Sequence, residues 1–125
     1  NAFAWQDFMD SDTHRFTIDN YEALMGQYLK DRDSLAQSDL FETSYEKITA
    51  DPLGEIGRIY DALGIANKEE GLEHIGRYVE TIKDYQPNLH RMKRAHVEEI
   101  QKRWKFAFDA FGYPIEPPSD IEVVD

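Results

Sequence analysis

Leu40-Phe41-Glu42-Thr43-Ser44-Tyr45, then Glu46-Lys47-Ile48-Thr49-Ala50 and Asp51-Pro52-Leu53, is the stretch on which the fold turns. Residues 40–45 alternate in character. Phe41, Thr43 and Tyr45 share one face of an extended chain, and Leu40, Glu42 and Ser44 share the other, which predicts a short strand. Asp51 then opens a helix as an acidic cap with proline at the first helical position. Leu53, Ile56, Ile59, Tyr60 and Leu63 form one apolar stripe along it, and Gly64 stops it. A lone strand leaves backbone donors and acceptors unpaired on both edges. The reading therefore implies partner strands outside these 125 residues. The start at Asn1, without Met and already inside the apolar pattern Ala2, Phe3, Ala4, Trp5 and Phe8, carries the same expectation of a piece of something longer.

Upstream of the strand, Asn1 to Met9 reads as the end of a helix and Asp10 to Arg15 as a polar turn. Thr17 is placed to cap a helix carrying Ile18, Tyr21, Met25, Tyr28 and Leu29 at helical spacing. Asp31 to Asp39 is polar and predicts a loop. Downstream, Asn67 with Glu70 makes a capping pair for a helix that buries Leu72, Ile75, Val79 and Ile82, and Pro87 marks the break after it. A last long helix starts near Arg91 to Arg94 and ends at Phe111. Val97, Ile100, Trp104, Phe108 and Phe111 lie on one side of it, with Gly112 and Pro114 as stop signals. Phe106 falls off that face and is expected to pack against the tail or against a missing part of the domain. The tail from Pro114 to Asp125 has three prolines, four acids and no periodicity, and predicts an extended strap or a disordered end. The chain thus divides into residues 1–113, a helical portion, and 114–125, an acidic Pro-rich tail. Its fold class is mainly α with one short strand.

The composition excludes several functions. Hydrophobic residues make up 41% and charged residues 31%, as in a soluble globular domain. The formal net charge of −11 argues against nucleic-acid and anionic-membrane binding, both of which need a basic surface. Neither a spanning helix nor a signal-peptide pattern is visible, so no membrane span and a cytoplasmic protein are expected. With no cysteine, disulfides and thiolate zinc sites are excluded. The sign of the charge reverses in one place: residues 91–113 hold six bases (Arg91, Lys93, Arg94, Lys102, Arg103, Lys105) against three acids. On a continuous helix Arg91, Arg94, Lys102 and Lys105 share one narrow face. Such a run is either a solvated face or several cations converging on a phosphate or sulfate.

Other motifs carry less. His14, His74, His90 and His96 have no second ligand at a spacing that suggests zinc, and no metal is expected. The phosphate-binding glycine motifs and the nucleophile elbow are missing, and Gly54, Gly57, Gly64, Gly71 and Gly76 sit within or at the ends of helical patterns, as packing glycines do.

The stretch Ser44-Tyr45-Glu46-Lys47-Ile48-Thr49-Ala50-Asp51-Pro52-Leu53, with Ile56, Ile59-Tyr60 and Leu63-Gly64-Ile65, resembles a hallmark of sulfotransferases that use 3′-phosphoadenosine 5′-phosphosulfate (PAPS). Their pattern is a strand, Tyr-Glu-Asp-Leu, Asp-Pro and a helix ending in Leu-Gly; Lys47 stands where the family usually has Asp. Tyr85-Gln86-Pro87-Asn88-Leu89-His90, the following helix and Phe111-Gly112-Tyr113-Pro114 resemble bacterial members. The resemblance implies the C-terminal portion of an α/β, P-loop-kinase-like three-layer fold, with Leu40 to Tyr45 as one strand of its parallel sheet. It implies sulfuryl transfer from PAPS to a hydroxyl or amine, on a small-molecule or glycan acceptor, leaving adenosine 3′,5′-bisphosphate. Tyr45 is then the residue beside the adenine, and Arg91, Lys93 and Arg94 are the cations for phosphate. The serine that the family uses on the 3′-phosphate aligns near Ala4, which cannot donate a hydrogen bond. The phosphosulfate loop and catalytic base belong upstream, so this chain supplies no catalytic residue and needs the missing N-terminal part of the domain or a second chain. The alternative is a non-catalytic helical interaction module with a degenerate version of the pattern.

Overall fold

The computed structural model describes the backbone of residues 2–125 and the side chains from residue 12 onward. The contact expected near Ala4 and the side chains of Asn1 to Met9 lie outside the described residues. The chain forms two units, Asn1–Lys30 with Pro87–Asp125 and, between them in sequence, Asp31–Gln86.

The first unit is built on α1 (Ala2–Asp31). This helix runs unbroken through Asp10 to Arg15, where a turn was expected. Residues 2–25 contain no glycine or proline to stop it, and Asp12 pairs with Arg15 one turn on at 3.5 Å. Thr17 consequently does not cap a helix. It sits inside α1, and its hydroxyl donates to the Thr13 carbonyl at 2.8 Å. The predicted apolar face does face inward: Ile18 is 1% exposed and Tyr21, Met25, Tyr28 and Leu29 are half-buried.

The helix expected to start near Arg91 to Arg94 and end at Phe111 does start at Arg94 and end at Phe111. It is two helices, however, α5 (Arg94–Arg103) and α6 (Lys105–Phe111), preceded by a short strand, β1 (His90–Lys93). The break falls at Trp104, whose φ of −100° and ψ of 8° leave the helical range. Its indole N–H donates to the Ile18 carbonyl at 3.2 Å, and its ring meets Tyr21 at 4.1 Å. A side chain committed to a partner helix thus marks the kink. Val97 and Ala107 are the other buried apolar side chains among the described residues, and Phe111 stacks on Tyr28 at 6.2 Å. Phe106 is half-buried. Arg94 and Lys102 remain together on α5, whereas Arg91 lies on β1 and Lys105 on α6, so the four bases do not form one helix face. Gly112 ends α6 with φ of 71°, the left-handed cap expected of it. The tail is the extended alternative: Gln101 donates to the Ile115 carbonyl at 3.0 Å, and β2 (Ile121–Val124) then pairs with β1. The pairing is parallel, with Arg91 opposite Glu122 and Lys93 opposite Val124.

In the second unit the expected strand at Leu40 to Tyr45 is not formed. Residues 40–44 are irregular, and Tyr45 begins α2 (Tyr45–Ala50). Ser44 is extended, with φ of −130° and ψ of 158°, and its hydroxyl accepts from the Lys47 N–H at 3.3 Å. The alternation therefore reflects an extended lead-in to a capped helix. Asp51 caps α3 (Pro52–Leu63) as predicted, its carboxylate accepting from the Gly54 N–H at 3.0 Å, and Gly64 closes it with φ of 63°. α4 (Lys68–Ile82) begins after Asn67, which has left-handed backbone and makes no side-chain cap bond, so the expected Asn67–Glu70 capping pair is not made. α3 and α4 approach through glycines: Gly71 lies against the Tyr60 ring and Gly76 against Leu53. The stripes expected to be buried are only half-covered within this unit, and Leu53 and Ile82 are exposed. No helix among the described residues is long and apolar enough to cross a membrane.

Candidate functional site

The residues nominated from sequence fall in both units. Tyr45 is the first residue of α2 and is 66% exposed. Its position is set by the extended residues before it. Thr43 donates to Glu55 at 2.7 Å, and Arg58 donates to the same carboxylate at 2.7 Å. Glu55 is 3% exposed, the one buried charged side chain among the described residues. The Thr43 hydroxyl and then the Arg58 guanidinium hold its carboxyl below the usual carboxylate range, against the opposing effect of burial. A buried carboxylate with both a hydroxyl and a guanidinium on it is satisfied rather than stranded. It ties the lead-in at Thr43 to α3 and so fixes where α2 starts. Beside it lies a cleft of about 420 Å³ lined by Phe41, Glu42, Lys47, Ala50, Asp51, Glu55 and Arg58. Lys47, which departs from the motif's usual acid, thus faces a cleft already holding Glu42, Asp51 and Glu55, where a cation offsets like-charge crowding.

Arg91, Lys93 and Arg94 are brought together in the other unit, on β1 and the first residue of α5. All three are exposed. Arg91 donates to Glu122 at 2.7 Å and Arg94 to Asp125 at 2.8 Å. The Asp125 hydrogen bond, followed by its charge, raises the Arg94 pKa. Among the described residues no carboxylate lies within ion-pair distance of Lys93. The first turn of α5 contains no acid, and Lys93 at its N-cap offers no side-chain acceptor, so the backbone donors of that turn point toward the same cationic end.

The chain is distantly similar to a sulfotransferase. Two curated proteins match it: the omega-hydroxy-beta-dihydromenaquinone-9 sulfotransferase Stf3 of Mycobacterium bovis and that of Mycobacterium tuberculosis. Each is 24% identical over 101 residues, which cover 81% of this chain and 26% of the relative. The chain therefore spans about a quarter of the length of these curated sulfotransferases. No protein-family model matches it, and no solved structure does.

One cluster escaped the sequence reading. His14 on α1 and His96 on α5 stack with ring centroids 3.7 Å apart and planes 17° from parallel. His14 Nε2 lies 3.0 Å from Glu99. Arg103 bridges onward to Asp19 at 2.7 Å and donates to Glu22 at 2.7 Å. The two histidines are far apart in sequence, and neither has a spacing signal; only the helix pairing joins them. Among the described residues no group of three or more histidine, aspartate and glutamate side chains is arranged to hold a metal ion.

Proposed function

We propose that this chain is part of a PAPS-dependent sulfotransferase. The observation that carries the reading is its similarity to a sulfotransferase over 81% of its length. It is supported by the Tyr45-Glu46, Asp51-Pro52 and Leu63-Gly64 signals standing in the family's order.

The donor set suits a nucleotide that carries phosphate. An exposed tyrosine ring presents a π-face for a purine. Two guanidiniums and an ammonium present charge-assisted donors for a phosphate. When bound, PAPS supplies the sulfuryl group that passes to the acceptor, leaving adenosine 3′,5′-bisphosphate. The work of this chain's residues is binding and orientation. Tyr45 would lie beside the base, Arg91, Lys93 and Arg94 would hold phosphate, and the Thr43–Glu55 bond would fix the lead-in to Tyr45. Positioning and cationic stabilisation are the main sources of rate in group transfers of this kind. The two relatives are named for an ω-hydroxylated dihydromenaquinone, so a hydroxylated small molecule is the acceptor class we assign.

The test is transfer of label from ³⁵S-labelled PAPS by the full-length protein to ω-hydroxylated dihydromenaquinone and to shorter hydroxylated isoprenoids. Labelled product that depends on both protein and acceptor bears the reading out. Absence of labelled product, together with no binding of adenosine 3′,5′-bisphosphate, moves the weight to a non-catalytic module.

A further inference from the structure

We infer that the acidic strand β2 acts as an internal stand-in for an anionic ligand on Arg91 and Arg94, and that a phosphate-bearing ligand displaces its carboxylates. For the identity of the ligand, though not for the exchange itself, this rests on the cofactor reading above.

The tail from 114 onward holds four acids and no base, whereas residues 91–113 are the base-rich part of the chain. The fold brings the two together in register. Glu122 is the strand partner of Arg91, and Asp125, the next position beyond the ladder, meets Arg94. A main-chain bond from the His90 N–H to the Asp120 carbonyl at 2.8 Å starts the pairing, and the Gln101 bond to Ile115 steers the tail back along α5. Each carboxylate thus accepts from the Nε–H of its arginine, a donor that phosphate oxygens would otherwise take.

Their hold is weak by construction. The side chains of Arg91 and Asp125 are 75% and 90% exposed, so water competes for both pairs. Exposed ion pairs contribute little to stability. A phosphate carries more charge and more acceptor oxygens than either carboxylate, and can engage both guanidiniums and Lys93. The strap is therefore a competitor that a specific ligand overcomes and a weak, adventitious anion does not.

Calorimetry on the full-length protein separates the possibilities, with adenosine 3′,5′-bisphosphate and inorganic pyrophosphate as probes. The double variant Glu122→Gln with Asp125→Asn preserves side-chain size and the backbone ladder while removing the competing charge. The double variant Glu116→Gln with Asp120→Asn makes the same change of net charge in the same tail, away from the guanidiniums. The first variant should tighten probe binding about two- to thirtyfold, as release of two ordinary exposed ion pairs implies; the second should change it far less. Equal gains in the two variants, no gain in the first, or no binding of either probe by any form overturns the proposal. A gain seen with pyrophosphate but no binding of the adenosine probe supports the strap and removes the cofactor reading. Unaltered binding of the adenosine probe in the first variant removes the strap and leaves the cofactor reading standing.

Discussion

Two imidazoles stacked 3.7 Å apart, as His14 and His96 are, cannot both carry a proton without repulsion. Burial, then the charge of His14 and of Lys93, pushes the His96 pKa below its ordinary value, while Glu99 opposes them. An unfolded chain takes up that proton near pH 6.5. Between there and the lower folded pKa the unfolded state binds more protons, so stability falls as pH falls. Glu55 and Glu99 add a second loss in the ordinary carboxylate range, because both carboxyls are held low in the fold, by Thr43 and by His14 first. We expect the melting temperature to drop between pH 7.5 and 5.5, and His96→Gln to flatten that part of the profile while leaving the steeper loss at lower pH. An unchanged profile in the variant would show that the stack does not titrate with folding.

Glycines distinguish the α3–α4 pair from an ordinary helix contact. A Cβ at Gly71 would run into the Tyr60 ring, whereas one at Gly57 would meet Lys68 Cε at 3.5 Å and Leu72 Cδ1 at 3.8 Å, ordinary contact distances. Both positions are helical, so alanine gains up to about 1 kcal/mol of propensity at either. At Gly71 overpacking of about 1–3 kcal/mol opposes that gain. Gly57→Ala should therefore be neutral or stabilising and Gly71→Ala destabilising, and chemical denaturation of the two variants checks the contrast. Elements of this kind were legible in sequence where their signal is local. The Asp51-Pro52 start and the Gly64 and Gly112 stops lie within four residues of the bonds they make. The strand expected at Leu40 to Tyr45 was misread because period-two alternation also describes the extended lead-in to a Ser44 cap. β1 and β2 were invisible for the opposite reason: each has four residues, β1 is cationic rather than apolar, and their ion pairs join positions 31 residues apart. The same distance separates Glu122 and Asp125 from the nominated cations, so the local charge reversal at residues 91–113 marks the bases without revealing their partners.

At the scale of the whole molecule, charge and similarity point in one direction. A chain of net charge −11 keeps three exposed cations together on β1 and the start of α5, and it is distantly similar to a sulfotransferase. The proposed cofactor would give those cations and the exposed Tyr45 a common role. The most direct measurement is the affinity of the full-length protein for adenosine 3′,5′-bisphosphate against adenosine 5′-monophosphate, by calorimetry at two salt concentrations. The bisphosphate should bind more tightly. Tyr45→Ala should weaken it by about 1–3 kcal/mol, as loss of an aromatic–base contact does, and Arg91→Ala and Arg94→Ala should weaken it and flatten its salt dependence. Equal affinity for the two nucleotides, with all three variants indistinguishable from wild type, would contradict the cofactor assignment.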